Sequence, residues 1–212
     1  MKEKKTGLLK ISAFQVMEIL VPVCLHYIVF QLIVLALGAY LDAGTLATLA
    51  AAAVFPFLWK MYRNEKRTEP GLKWNTLWIP LVLGVIGNYG CSVIFSWLKI
   101  TEHFSNATQE ALFQSNPLIQ LFGIGIFVPV VEEIIFRGLV GGKLKRYYGR
   151  TAAVLFSALI FAAYHGNVVQ MLYAFPMGIL MALIYEKWGM LWAPICFHIG
   201  ANLFGVLGSI FG

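Results

Sequence analysis

Residues 127–138 read F-V-P-V-V-E-E-I-I-F-R-G, and this stretch decides how the chain folds. Three ionisable residues, Glu132, Glu133 and Arg137, lie within an apolar run long enough to cross a bilayer as a helix. An ionisable group at the centre of a membrane helix costs about 3 kcal/mol or more unless it is paired or wetted. The trio therefore indicates a functional site inside a membrane.

The composition of the whole chain agrees with a membrane location. Of its 212 residues, 59% are hydrophobic and 12% are charged, and the mean hydropathy is +0.76. A soluble domain carries about 25% charged residues. The net charge is +6, but the Lys and Arg residues lie between hydrophobic segments, where anionic lipid headgroups explain them. We therefore predict an all-α, polytopic membrane helix bundle that contacts the lipid bilayer and no nucleic acid.

Charged and polar residues between the apolar runs divide the chain into about seven predicted transmembrane helices. We expect these helices at roughly 18–41, 45–61, 74–98, 116–140, 151–165, 168–185 and 190–210. Residues 8–15 are expected to lie along the membrane interface, 99–115 to form a polar loop and 141–150 a basic loop. Pro129 predicts a kink just before the Glu pair.

Orientation and organisation follow from the same pattern. The basic clusters near residues 2–10, 60–73 and 143–150 recur after every two spans, which predicts a cytoplasmic N-terminus. The apolar run 19–41 is about twice the length of a signal-peptide core, so we expect an uncleaved first helix. We divide the chain into N-terminal helices at 1–115 and a catalytic core at 116–212. The three cysteines are expected to be small buried hydrophobic side chains without disulfides.

The carboxylates of the fourth segment differ in their expected partners. On a helix, Glu133 and Arg137 are four residues apart and face each other, which predicts an ion pair. Glu132 points about 100° away and needs either a raised pKa or a base from another helix. The alternative is that all three form one buried network that only fixes helix packing.

Two later segments carry isolated polar groups at helical spacing. Phe161 and His165 are four residues apart in the fifth segment, and His198 and Asn202 are four apart in the seventh. A lone histidine on an apolar helix is usually a satisfied core or interface residue. The second pair suits hydrogen bonds between helices as well as it suits donors aimed at a developing oxyanion.

The three motifs together are more specific than any one of them. E-E-x-x-x-R at 132–137, F-x-x-x-H at 161–165 and H-x-x-x-N at 198–202 occur in this order on three separate segments. This combination resembles the CPBP or Abi family of CAAX-processing and bacteriocin-processing membrane proteases, which includes the type II CAAX endopeptidases. The resemblance covers roughly residues 116–212 and no motif position departs from it.

The resemblance implies roles for the motif residues. Glu132 and His165 would act on the hydrolytic water, while His198 and Asn202 would serve the second half of the site, where donors stabilise an oxyanion. These residues would be held in position by Glu133, Arg137 and Phe161. The implied activity is hydrolysis of a peptide bond in a membrane-associated peptide or protein.

The need for a metal stays open in the sequence. Glu132, His165 and His198 could supply the three protein ligands of a catalytic zinc ion. No H-E-x-x-H motif is present, however, and we favour a Glu–His mechanism without a cofactor. Counting along the helices places His165 about 8–10 Å nearer the outer face than Glu132 and His198, so the fifth segment must tilt or begin deeper.

Three classes of function remain to be compared. The first is an intramembrane protease in a bacterial plasma membrane. The second is a non-catalytic membrane binding protein of the bacteriocin self-immunity type, and the third is a small transporter with Glu132 and Glu133 as a proton relay. We favour the protease, because a binding protein has no need for all four motif residues together.

Overall fold

The computed structural model describes residues 12–65, 70 and 74–211. Within these ranges the chain is helical and contains no strand, which confirms the all-α prediction. Residues 8–11 of the interfacial stretch predicted at 8–15 lie outside the described residues, and its last part, from Ala13, belongs to the first long helix.

Nine α-helices and two π-helical segments follow one another along the described chain. The side chains of Ser12, Asp42 and Asn167 cap three of the long helices by accepting hydrogen bonds from backbone N–H groups of the first turn. The α-helices are α1 Ala13–Leu37, α2 Ala43–Asn64, α3 Trp78–Trp97, α4 Ile100–His103, α5 Ala107–Phe113, α6 Val128–Glu133, α7 Gly142–Tyr164, α8 Val168–Trp188 and α9 Trp192–Phe211. The π-helical segments are Ile119–Phe127 and Ile134–Gly141.

Six helical segments of the described chain are long and apolar enough to span a membrane, so the protein is an integral, multi-pass membrane protein. The longest, Ile119–Tyr164, has 46 residues and joins the predicted fourth and fifth helices. Its backbone breaks at Gly149, where φ is 83° and ψ is 179°. Glycine adopts this conformation without steric penalty because it has no Cβ atom. The break divides this segment into two helices. The six segments therefore contain the seven helices that the sequence predicts.

The prediction of loops is partly wrong for two stretches, which contain helices. Residues 142–148 of the basic stretch are helical, because Lys143 and Leu144 turn inward and bury their side chains while Lys145 stays exposed. The polar stretch 99–115 contains the short helices α4 and α5. In both places the polar composition concealed a helix with one packed face.

The charged side chains of three elements meet at one end of the bundle. Arg146 pairs with Glu65 at the end of α2, and Lys145 pairs with Glu186 near the end of α8. Tyr147 donates a hydrogen bond to Glu18 near the start of α1. The end of α2 and the start of α7, which carry the described parts of two predicted basic clusters, therefore lie at the same end, while the cluster at residues 2–10 lies outside the described residues. A cytoplasmic location for this end stays a prediction.

Helices α3 and α9 cross at very short distance, which fixes the position of the last motif. A Cβ atom on Gly84 would lie 1.9 Å from the carbonyl oxygen of Phe197, and one on Gly200 would lie 2.1 Å from that of Leu81. Only glycine permits this approach. His198 and Asn202 lie on the same stretch of α9.

One hydrophobic core runs through both predicted parts of the chain, from Ile19 and Val54 to Phe161 and Phe197. The boundary at 115/116 stays a prediction.

All three cysteines are free, as expected, but their burial differs from the prediction. Cys24 is exposed on the outside of α1, and the other two are partly buried.

Candidate active site

Glu132 and Glu133 lie at the end of α6, between the two π-helical segments. π-Turns are rare and occur often at functional sites. The Glu133 side chain is fully buried and its Oε1 lies 3.0 Å from Nη1 of Arg137, which is 1% exposed. Nη2 of Arg137 donates to the carbonyl oxygen of Gly178, at 3.1 Å. The predicted ion pair is present and it is anchored to α8.

His198 bridges the two carboxylates. Its Nδ1 lies 2.9 Å from Oε1 of Glu133 and its Nε2 lies 3.5 Å from Oε2 of Glu132. Because Glu133 also accepts from Arg137, it is an ionised acceptor, and Nδ1 of His198 must carry the hydrogen. The contact to Glu132 is attractive only if a proton lies on Nε2 or on Glu132. His198 and Glu132 therefore form a pair that can exchange a proton.

Phe161 is the centre around which the other groups pack. Its ring is 2% exposed and lies 4.5 Å from the guanidinium carbon of Arg137. The rings of His165 and His198 contact it edge-on, at centroid distances of 4.8 Å and 5.6 Å. The two histidines therefore contact one phenyl ring, although they belong to different helices.

His165 lies at the C-terminal cap of α7. Its Nδ1 is 2.9 Å from the carbonyl oxygen of Phe161. Since a carbonyl oxygen can only accept, Nδ1 carries the hydrogen, and Nε2 of the neutral ring is left as a base. No ion pair or hydrogen bond joins His165 to Glu132 among the described residues. Of the predicted activating pair, His165 contacts Phe161 and Glu132 contacts His198.

Asn202 is held by the first π-helical segment. Its Nδ2 donates to the carbonyl oxygen of Ile124, at 3.0 Å. One N–H of the amide is therefore used to fix the side chain, and a second N–H remains available. The side chain lies one helical turn from His198 on α9, as the sequence predicted.

The N-terminal half contributes a pair of residues that sequence analysis did not single out. Nδ1 of His26 on α1 hydrogen-bonds to the hydroxyl of Tyr164 on α7. Both side chains interact electrostatically with Glu132. The signal in the sequence is slight: one histidine in the first apolar run and one tyrosine beside His165.

The described side chains do not form the three-ligand set of a zinc site. No three His, Cys, Asp or Glu side chains of residues 12–65, 70 and 74–211 converge on one point. Zinc ligands must point to a common centre from about 2.0–2.2 Å.

A cavity of about 330 Å³ extends from the charged end of the bundle as far as Arg137. Its lining includes Glu65, Arg146 and Glu186 at the end and Ser157 and Arg137 further in. The buried ion pair is therefore connected to the polar end of the molecule.

Comparison with known proteins agrees with this geometry. Residues 114–204, which carry all three motifs, match the family model described as Type II CAAX prenyl endopeptidase Rce1-like. This part of the chain is Rce1-like. The resemblance predicted from the motifs is thus confirmed over these residues.

Three bacterial proteins are similar to this chain. The candidate membrane peptidase YdiL of Bacillus subtilis (strain 168) is 33% identical over 105 residues, covering 49% of this chain and 43% of YdiL. The membrane-embedded CAAX protease MroQ of Staphylococcus aureus (strain USA300) is 27% identical over 143 residues, covering 64% of this chain and 57% of MroQ. The UPF0177 protein YxdF of Lactococcus lactis is 25% identical over 166 residues, covering 74% of this chain and 90% of YxdF.

The chain thus spans about half the length of YdiL and MroQ. No solved structure matches it.

Proposed function

We propose that this protein is a membrane-embedded endopeptidase that hydrolyses a peptide bond in a peptide or protein anchored in the bilayer. The observation that carries the proposal is the contact between Glu132 and His198, held in place by the buried Glu133–Arg137 pair. An ionisable network of this kind is expensive inside a membrane and is expected where it serves chemistry. The names of YdiL and MroQ, a peptidase and a CAAX protease, support the same reaction class.

In the proposed mechanism Glu132 is the general base. Its carboxylate removes a proton from water, and the resulting hydroxide attacks the carbonyl carbon of the scissile bond. His165 assists through Nε2, which its hydrogen bond to the Phe161 carbonyl leaves unprotonated. The cavity that reaches Arg137 offers water a route from the charged end of the bundle.

His198 and Asn202 serve the second half of the reaction. With Nδ1–H of His198 donated to Glu133, the oxyanion of the tetrahedral intermediate accepts hydrogen bonds from Nε2–H of the His198 imidazolium and from the free amide N–H of Asn202. A preorganised donor of this type contributes about 3–4 kcal/mol to catalysis. When the intermediate collapses, Glu132 returns its proton to the leaving amine. Each step uses side chains alone, so we propose that no metal takes part.

The proposal is tested by cleavage of a quenched, membrane-anchored peptide library with the purified protein in liposomes. We expect Glu132→Ala and His198→Ala to lose activity by a factor of about 100 or more, because they remove the base and an oxyanion donor. Glu102→Ala is the matched control, since this carboxylate is 61% exposed and far from the motifs in sequence. A strong chelator should leave the wild-type rate unchanged.

Other outcomes distinguish the competing proposals. Activity lost under chelator and restored by zinc would overturn the metal-free mechanism. Activity retained in both site variants would overturn the assignment of the residues. Peptide binding without any cleavage would favour the non-catalytic binding protein. Farnesylated and unmodified peptides in the same library report whether the substrate carries a lipid.

A further inference from the structure

His26 is a buried ionisable residue on a helix that otherwise faces outward. Helix α1 exposes most of its side chains, and Phe14, Tyr27 and Leu35 are among the exposed ones. His26 is only 6% exposed, and its Nε2 has no hydrogen-bond partner among the described residues. Polar groups buried in a membrane helix are expected to face the interior and to serve function.

The hydrogen bond between His26 and Tyr164 leaves one proton to donate. A neutral imidazole and a phenol together carry two polar hydrogens, and their mutual bond uses one. If Tyr164 donates to Nδ1, the free donor is Nε2–H of His26. If Nδ1–H donates to Tyr164, the free donor is the tyrosine hydroxyl. In either arrangement the pair presents one further donor.

Glu132 is the acceptor that fits this donor. Its charge acts on both His26 and Tyr164. The ring of Tyr164 packs against that of Phe136, at 5.6 Å, and Phe136 lies four residues after Glu132 in the same helical segment. The pair therefore rests on the element that carries the carboxylate.

We propose that His26 and Tyr164 form a hydrogen-bonded pair that positions Glu132, so that the active site includes a group from the first helix. The inference rests on the proposed function. The pair donates to the Glu132 carboxylate through one water and restricts the oxygen that faces His198 and the substrate water. His26 and Tyr164 are thus positioning residues, and Glu132 is the catalytic residue.

Tyr164 also lines an apolar cavity of about 410 Å³ between α1 and α7, together with Val23 and Tyr27. A purely structural role would be to pack α1 on α7, and a substrate-binding role would be to line this cavity. Each of the three roles affects a different quantity. Positioning changes kcat, substrate binding changes KM and packing changes thermal stability.

The experiment compares Tyr164→Phe and His26→Asn with the wild type in liposomes, on the peptide that the wild type cleaves best. Tyr164→Phe keeps the ring and removes only the hydroxyl, so it preserves packing. We expect kcat to fall about 10–100-fold, as it does when a residue that hydrogen-bonds to a functional side chain and orients it is replaced. KM should stay within about twofold, and the double variant should be no slower than the slower single variant, because the two residues act as a unit.

Controls separate this inference from the proposed function. Tyr40→Phe and His103→Asn change exposed residues of the same types and should leave kcat unchanged. Glu132→Ala, measured in parallel, reports whether the proposed function holds. An inactive Glu132→Ala with wild-type kcat in Tyr164→Phe and His26→Asn overturns the positioning role alone.

Two further outcomes contradict the inference. A raised KM with unchanged kcat would assign the pair to substrate binding, and a kcat loss that follows only a lowered melting temperature would assign it to packing. No cleavage by the wild type would overturn the proposed function and this inference with it.

Discussion

Two groups of charged residues in this protein have similar geometry and different surroundings. In the buried centre, Arg137 and Glu133 lie 3.0 Å apart with side chains 1% and 0% exposed. At the charged end, Lys145 and Arg150 lie 2.8 Å and 3.3 Å from Glu186, and the two cations are 54% and 64% exposed. The distances alone would rank these pairs as equal.

The environment decides what each pair contributes. In a medium of low dielectric constant, an unpaired charge is very unfavourable, so each partner of the buried pair depends on the other. At the exposed end, water and salt screen the attraction, and each pair contributes about 0–1 kcal/mol. The comparison teaches that the same residue types build a fixed buried centre in one place and a weak, solvent-screened network in another.

The largest effect is expected from Arg137→Met. This change leaves the fully buried Glu133 without its cation and should destabilise the fold by about 3–5 kcal/mol. Thermal unfolding in detergent measures the loss. Arg150→Met is the matched control, because Arg150 is 64% exposed, and it should lose less than about 1 kcal/mol. Equal losses in the two variants would contradict the distinction.

A second change should recover part of that loss. The double variant Glu133→Gln with Arg137→Met replaces both charges, so no unpaired ion stays buried. We expect it to be about 1–3 kcal/mol more stable than additive single changes would give. A complete double-mutant cycle by thermal unfolding measures this coupling. Additive losses would show that the two side chains do not interact as a pair.

A smaller effect is expected from Glu186→Gln at the charged end. It removes the acceptor shared by Lys145 and Arg150 and should lower stability by less than about 1 kcal/mol. Because salt screens exposed charges, raising the salt concentration to about 1 M should abolish the difference from the wild type. The loss in Arg137→Met should stay the same in high salt. If the loss of stability in Glu186→Gln did not depend on salt, the charged end would be less accessible to water than the exposure of Lys145 and Arg150 indicates.

The smallest effect concerns Asp42, a carboxylate at the N-terminal cap of α2. Hydrogen bonds from the Ser115 side chain and the Thr45 backbone N–H lower the pKa of Asp42 to about 2. Because the folded pKa is below the unfolded one, Asp42 adds stability above about pH 4, and this is lost as the pH falls through about 2. The difference in melting temperature between the wild type and Asp42→Asn should therefore shrink over that interval. A constant difference would show that the ionised form is not favoured by the fold.

Several features of the fold and of the centre could be predicted from the sequence because they depend on local spacing. Four-residue spacing paired Glu133 with Arg137, and apolar runs of about 20 residues marked most spans. The basic residues at 142–148 were predicted as a loop, because their packed face depends on α2 and α8, which are distant in the sequence. Gly149, which interrupts that helix, could have marked the true boundary.

The sequence by itself determined the membrane environment, the helical class and the residues able to carry chemistry, since composition and helical periodicity are properties of the chain. Only the tertiary structure decided that His198 lies between Glu132 and Glu133, that both His165 and His198 contact Phe161, and that His26 contacts Tyr164. Helix crossings set these contacts, above all the glycine contact between α3 and α9. A crossing depends on surfaces from two distant segments, and no spacing within either segment contains it.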